Sequence, residues 1–226
     1  MAPPYKREEC TPEPDDSAEF VTITVPTGEK FGVHAHLLGH HSEYFRKALN
    51  GPFKEATTCT FNLSVHATEE TVSTFIRWIY LRHAGQRIEE YNLVFHLGHI
   101  FTDKAIQAWL FGDYIQATEF RNDIMRLIRL ISSTTYLFNY QDIAESWSLL
   151  PAASNIRAYV LDYYISKIFD STDNETFITE VDNLPADMAR AVLKRLAIPM
   201  RQMIDGGKSK PCDWFNLKVD DYLENV

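Results

Sequence analysis

The stretch FGVHAHLLGHHSEYFRKALNGPFKEA, residues 31–56, places four of the chain's eight histidines, His34, His36, His40 and His41, within eight residues. Imidazole is a common ligand of transition metals and titrates near neutral pH, so metal binding is the first chemistry to weigh. His36 and His40 are four residues apart and would share one face of a helix, the spacing at which two rings reach one ion. Glu43 is the nearest acidic residue, Gly39 weakens a helix between the two histidines, and two histidines seldom make a site alone. His96 and His99 form a second pair with the same shortage of ligands. A metal-dependent enzyme or sensor built on His36, His40 and Glu43 is therefore the minor alternative, and no metal or other cofactor is expected. His34 differs from its neighbours. Flanked by Val33 and Leu37, it is expected in the core with a ring nitrogen bonded to a backbone carbonyl, while the other three lie on the surface of a short helical segment.

Other catalytic constellations are missing. The sequence has no H-E-x-x-H, G-x-S-x-G, G-x-x-x-x-G-K-[ST], G-x-G-x-x-G or EF-hand loop. Asp205-Gly206-Gly207-Lys208-Ser209 lacks the first glycine of a phosphate loop and follows a helical pattern instead of a strand, so it is read as a flexible exit. The expectation is a non-enzymatic protein.

Composition narrows the remaining classes. A net charge of −9 and a pI near 5.3 leave out the basic footprint of a nucleic-acid binder. Arg121, Arg126 and Arg129 recur at helical spacing, which is read as a solvated face. Cys10, Cys59 and Cys212 are far apart and odd in number, which argues against a disulfide framework and for a reducing compartment. The N-terminus shows no signal-peptide core and the chain no apolar run of membrane-spanning length. An intracellular protein, nuclear or cytoplasmic, is expected.

Whatever these residues do, the elements around them must position them. Residues 1–18 are rich in Pro, Glu and Asp and read as a disordered leader. FVTITV, residues 20–25, alternates as a half-buried strand; PTGE turns, and KFGV returns as a second strand. Helical patterning starts at Ala35, with Leu37 and Leu38 as anchors. Ser42 is placed to N-cap a helix that turns Phe45, Ala48 and Leu49 inward, and Asn50-Gly51-Pro52 ends it. CTFNL, residues 59–63, alternates as a third strand. Thr68, followed by Glu69 and Glu70, opens a helix whose Val72, Phe75, Ile76, Ile79 and Tyr80 form one apolar stripe. Beyond the HAGQR link only helices are expected, at 89–101, 103–118, 122–134 and 156–169, with a last one in which Pro185 sits in the first turn ahead of Met188, Val192 and Leu196. The aromatic and charged tail, 205–226, could dock on the body or on a partner. Strands that come early and helices that follow make an α+β fold dominated by α: a small three-stranded sheet covered by helices, then an all-α extension.

Phe31-x-Val33-His34, Leu37-Leu38, Ser42-x-x-Phe45, Gly51-x-Phe53-Lys54-Glu55, Leu63 and Phe75-x-x-Trp78-Ile79-Tyr80 occur in an order and spacing that resembles the BTB/POZ domain. The resemblance divides the chain into a leader (1–18), a BTB/POZ domain (19–101), a helical extension (102–204) and the tail (205–226). Ala108-Trp109-x-x-Gly112-Asp113 and Phe120-x-Asn122-x-x-Met125 look more loosely like the extension found on many fungal BTB proteins. What the resemblance implies is a protein–protein interaction module in which His34 is structural. In the BTB subset that recruits a cullin into ubiquitin ligases, a hydrophobic-x-Glu element contacts the cullin, and Phe53-Lys54-Glu55 matches it by position.

An exposed aromatic followed by a carboxylate is a feature that anchors partners, although such an aromatic equally often folds back on its own domain. The candidate partner-binding residues are Tyr44, on the helix after Ser42, with Phe53, Lys54 and Glu55 at the corner. No β-propeller repeat or zinc finger is present to capture a substrate, so in an adaptor that task falls to the C-terminal helices. The alternative is a BTB-containing transcriptional or scaffold regulator acting through partners. Two departures bear on it. Transcription-linked BTB domains often carry a basic residue after the structural histidine and an aspartate entering the first strand, where this chain has Ala35 and Glu19. Their strand-exchanging N-terminal element is replaced by the proline-rich leader, so self-association is left open without its usual equipment. Neither nucleic acid nor membrane is expected as a direct partner.

Overall fold

A computed structural model describes residues 19–64, 66–86, 101–134, 146–170, 184–204 and 219–224. The leader, all but the last residue of the helix expected at 89–101, the His96/His99 pair, Cys10, Cys212 and the glycine exit at 206–207 lie outside the described residues.

The sheet follows the alternation closely. β1 (Phe20–Thr24) and β2 (Lys30–His34) pair antiparallel with Val21 opposite Val33 and Ile23 opposite Phe31. The turn between them closes on Gly28, whose φ of +91° suits a residue without Cβ. β3 (Thr60–Asn62) joins the other side of β1 in parallel, giving the order β2-β1-β3. This third strand is shorter than expected. Cys59 is in the left-handed region at φ +50° and serves as the C-cap of the preceding helix, although its carbonyl still accepts from Thr22 N–H. A parallel partner needs a crossover, supplied here by α1 (Ala35–His41), α2 (Glu43–Asn50) and α3 (Lys54–Thr58).

α4 (Glu69–His83) opens on a capping box in which Thr68 and Thr71 satisfy each other's backbone N–H groups. Its buried face is wider than the expected stripe, because Trp78 is fully enclosed alongside Val72, Phe75 and Ile79, while Ile76 and Tyr80 are half-buried. Phe45, Phe61, Phe75, Trp78, Phe111 and Phe120 form one chain of ring contacts, centroids 5.0–6.5 Å apart, from the sheet into the later helices. Each such ring contributes about 1.5–3 kcal/mol of apolar burial.

Those later helices are α5 (Phe101–Tyr114), α6 (Thr118–Thr134), α7 (Asn155–Asp170) and α8 (Ala186–Ile204). α5 stops four residues before the expected end and α6 begins four residues before its expected start, because the chain turns between them. Gln116 takes φ +53°, Ala117 N–H returns to Gly112 O at 2.8 Å and Gln116 N–H to Asp113 O at 3.1 Å, a Schellman-type stop without glycine at its left-handed position. Gly112 permits the close return: a Cβ there would lie 2.9 Å from Phe120 Cδ1 and from Arg121 Cγ. Pro185 precedes α8 instead of occupying its first turn, and its carbonyl accepts the first intrahelical bond from Ala189. A 3-10 turn, Val219–Tyr222, lies against α6 and α7. Among the described residues no helix is long and apolar enough to cross a membrane.

Candidate partner-binding site

Ser42 begins the site. Its side chain is buried, accepts from Phe45 N–H at 3.2 Å as the expected cap of α2, and donates to Ile115 O at 2.5 Å. Glu43 N–H and Tyr44 N–H point at Gln116 O and Ile115 O, each at 3.4 Å. The open donors of the α2 N-terminus thus meet the open carbonyls at the α5 C-terminus. The signal for this junction in the sequence is one serine, which reads equally well as a cap alone.

Tyr44 is half-buried, its ring 5.6 Å from that of Tyr114 and 5.1 Å from Phe45. Burial, followed by the neighbouring Tyr114 and the Glu55 carboxylate, pushes its hydroxyl pKa up to about 12. Tyr44 and Tyr114 are therefore ring neighbours, and the motifs did not single out the second. Phe53 stands just before α3 and is 53% exposed, and Lys54 and Glu55 form the first turn of that short helix instead of a loop. Phe53 also folds back locally. A Cβ on Gly51 would sit 2.6 Å from the ring's Cδ2 and Cε2, so the ring lies on the bare glycine backbone with its outer half in solvent. Glu43, on the adjoining turn of α2, is held by Arg46 at 2.5–2.8 Å and Lys47 at 3.3 Å, which lower its pKa, Arg46 first.

The histidines divide differently from the expectation. His34 is half-buried rather than in the core, and its Nδ1 is 2.7 Å from the Tyr80 hydroxyl, which also takes His34 N–H at 3.3 Å. A side-chain partner replaces the expected backbone carbonyl. His36 and His40 are exposed on α1. Desolvation, then His34, His83 and His40, lowers the pKa of His36. His41 is not at the surface: its side chain is 6% exposed, 5.0 Å from the Trp78 ring and 3.8 Å from Glu119, an ion-pair rather than a hydrogen-bond distance. Among the described residues no three His, Cys, Asp or Glu side chains gather to hold an ion, and Glu43 is engaged by its two cations. The Cys59 thiol donates to Glu19 Oε1 at 3.2 Å, which raises its pKa.

The arginine row is not a solvated face either. Arg121 is 12% exposed, lies 5.5 Å from the centre of the Trp109 ring and binds Asp113 Oδ1 at 2.5 Å, while Arg126 binds the buried Asp123 at 2.6 Å. Asp123 in turn accepts from Trp78 Nε1 at 3.0 Å, tying α4 to α6.

A hairpin-centred sheet with a parallel third strand, the crossover carrying the corner and the Trp78 helix beneath it, coincides with a known domain: residues 15–109 match the family model of the BTB/POZ domain. The chain carries a BTB/POZ domain. A BTB/POZ domain is a protein–protein interaction module, and the chain matches no curated protein sequence. The BTB/POZ match runs through Trp109, so α5 begins within it and the Ile115 and Gln116 carbonyls that meet α2 lie just beyond.

Proposed function

We propose that the chain is a noncatalytic adaptor. The corner of Tyr44, Phe53, Lys54 and Glu55 binds one protein partner, with a cullin of a ubiquitin ligase as the concrete candidate, and the helices after residue 102 hold another. The observation that carries this reading is Phe53: a large aromatic with half its surface in water, braced by Gly51 beneath and followed at once by a cation and a carboxylate on a helical turn. An aromatic anchor of that kind, rigid before binding, loses little entropy on burial. On α2, Tyr44 is braced in turn by the Tyr114 ring at 5.6 Å.

Pull-down with a cullin compares the wild-type chain with Phe53→Ala plus Glu55→Ala. Capture by the wild type and at least tenfold weaker capture by the double variant is expected. Equal absence of binding in both removes the ligase reading and leaves an interaction module with another partner. Phe53 is largely open to solvent and Glu55 is half-buried without being part of the core, so thermal unfolding of the variant serves as the control and should move little.

A further inference from the structure

The C-terminal turn Val219–Tyr222 and the residues after it rest in a cleft between α6 and α7. Asn122, 4% exposed, grips the main chain of Glu224 with both ends of its amide: Nδ2 donates to the Glu224 carbonyl at 2.8 Å, and Oδ1 accepts from its N–H at 2.8 Å. This clamp reads backbone, so it holds any residue at that position. Two side-chain contacts supply identity. Arg121 pairs with the Glu224 carboxylate, and the Tyr222 hydroxyl donates to Asp162 Oδ2 at 2.6 Å while its ring stands edge-on to Tyr159, centroids 5.3 Å apart.

The cleft has its charges balanced before the tail is counted. Asp162, 2% exposed, is held by Arg195 through Nε at 2.7 Å and a terminal guanidinium nitrogen at 2.6 Å, and Arg121 has Asp113. Preorganised polar groups of this kind bind a peptide without first rearranging. The tail also leaves space. Beside Glu224 a cavity of about 410 Å³ opens, lined by Trp109, Asp113, Arg121, Ser154 and Asn155 among others.

We infer that this cleft is a peptide-recognition site for a segment of another protein presenting tyrosine two residues before glutamate, and that the chain's own Tyr222-Leu223-Glu224 occupies it in cis as a competitor. The inference rests on the reading of the helical extension as a second interaction surface and is independent of what the corner binds. A tethered segment acts at an effective concentration on the order of millimolar, so a foreign peptide enters only when it binds better or when the tail is displaced. A longer peptide does so by filling the cavity beside Glu224.

Two full-length chains test it: wild type, and the double variant Tyr222→Ala plus Glu224→Ala. The probe is a fluorescent peptide of the sequence of residues 219–226, followed by anisotropy. The double variant, with unchanged circular dichroism, is expected to bind the probe at least tenfold tighter than the wild type, and a probe with alanine in place of its tyrosine and glutamate is expected not to bind. Adding Asn122→Ala to the variant abolishes binding if the main-chain clamp works as described. Equal binding to both chains, binding to neither, or a double variant that unfolds overturns the inference, the last because the tail would then be part of the core. A Tyr222-dependent dimer of the wild-type chain also overturns it, in favour of exchange between copies. The cullin pull-down is read separately on the same tail variant, so loss of one site is not mistaken for loss of the other.

Discussion

Among the described residues of the BTB/POZ half the buried polar groups are small or neutral, the Ser42 and Thr71 hydroxyls on helix caps and the His41 ring against Trp78, whereas the helices beyond residue 102 bury Asn122, Asp123 and Asp162 beside arginines and an indole. One half is held by aromatic packing around a small sheet. The other, from Trp109 to the tail, shares the apolar core and adds carboxylates paired between elements: Asp162 on Arg195 and Tyr222, the exposed Asp187 between Trp147 Nε1 and Arg157 at 2.7 Å each, and Arg121 between Asp113 and Glu224. Apolar packing tolerates exchange of one hydrocarbon for another, while a buried ion pair fixes which residues meet. The BTB/POZ half thus rests on ring packing, and the helices beyond residue 102 add pairings between particular residues.

The largest expected effect tests whether the halves are separate. Phe75 is fully buried and touches Phe45 and Trp78 on one side and Phe111 and Phe120 on the other. Phe75→Ala should cost about 3–5 kcal/mol and shift urea unfolding of both halves together, read by far-ultraviolet circular dichroism and tryptophan fluorescence. Two separated transitions would show that the ring chain does not couple them. Next comes Arg195→Leu, which leaves the buried Asp162 carboxylate to the Tyr222 hydroxyl alone. With the guanidinium half in solvent, a loss of about 2–3 kcal/mol is expected, largely recovered in the double variant with Asp162→Leu, which removes the charge that the first change uncovers. No recovery would mean that the arginine matters for its packing.

That contrast also explains what could be read in advance. The hairpin, the Ser42 cap, the corner, the Thr68 start and the exposed Phe53 all follow from alternation, turn residues and caps, which are local. The three-stranded sheet and its helical cover were legible for the same reason. Asp162 and Arg121 were not, because a carboxylate or guanidinium at helical spacing looks identical whether it faces water or a partner thirty residues away. His41 failed likewise: its burial is decided by Trp78 and Glu119, both distant in sequence. At the site, Phe53, Lys54 and Glu55 could be placed at a corner from Gly51-Pro52 alone, but Tyr114 joins Tyr44 only through the turn that α5 makes at Gln116.

Ser42 sits on the seam between the halves and should show a smaller effect. Ser42→Ala removes the α2 cap, worth about 1 kcal/mol, and leaves the Ile115 carbonyl without its 2.5 Å donor, for a total of about 1–3 kcal/mol. Ser42→Thr, which keeps the hydroxyl, should recover most of it in thermal unfolding. Because the same carbonyl region faces Tyr44 N–H, loosening it should also weaken any partner held at the corner more than stability alone accounts for.

The smallest effect belongs to a charge on that seam. Glu119, on α6, faces His41 and His40 from α1 and Arg82 from α4; its carboxyl is held below the usual value near 4.5, by His41 first and Arg82 next, against the opposing effect of burial. A carboxylate whose folded pKa is depressed stabilises the fold fully above its unfolded value and loses that contribution as pH falls through the folded value. Glu119 is 37% exposed, so solvent screening keeps the contribution to about 0–1 kcal/mol. Glu119→Gln should therefore lower the unfolding midpoint slightly at pH 7, and the gap to wild type should close as the pH is taken below about 4.5. A gap that stays constant from pH 7 to 3 would show that the side chain acts by packing against α1 and not through its charge.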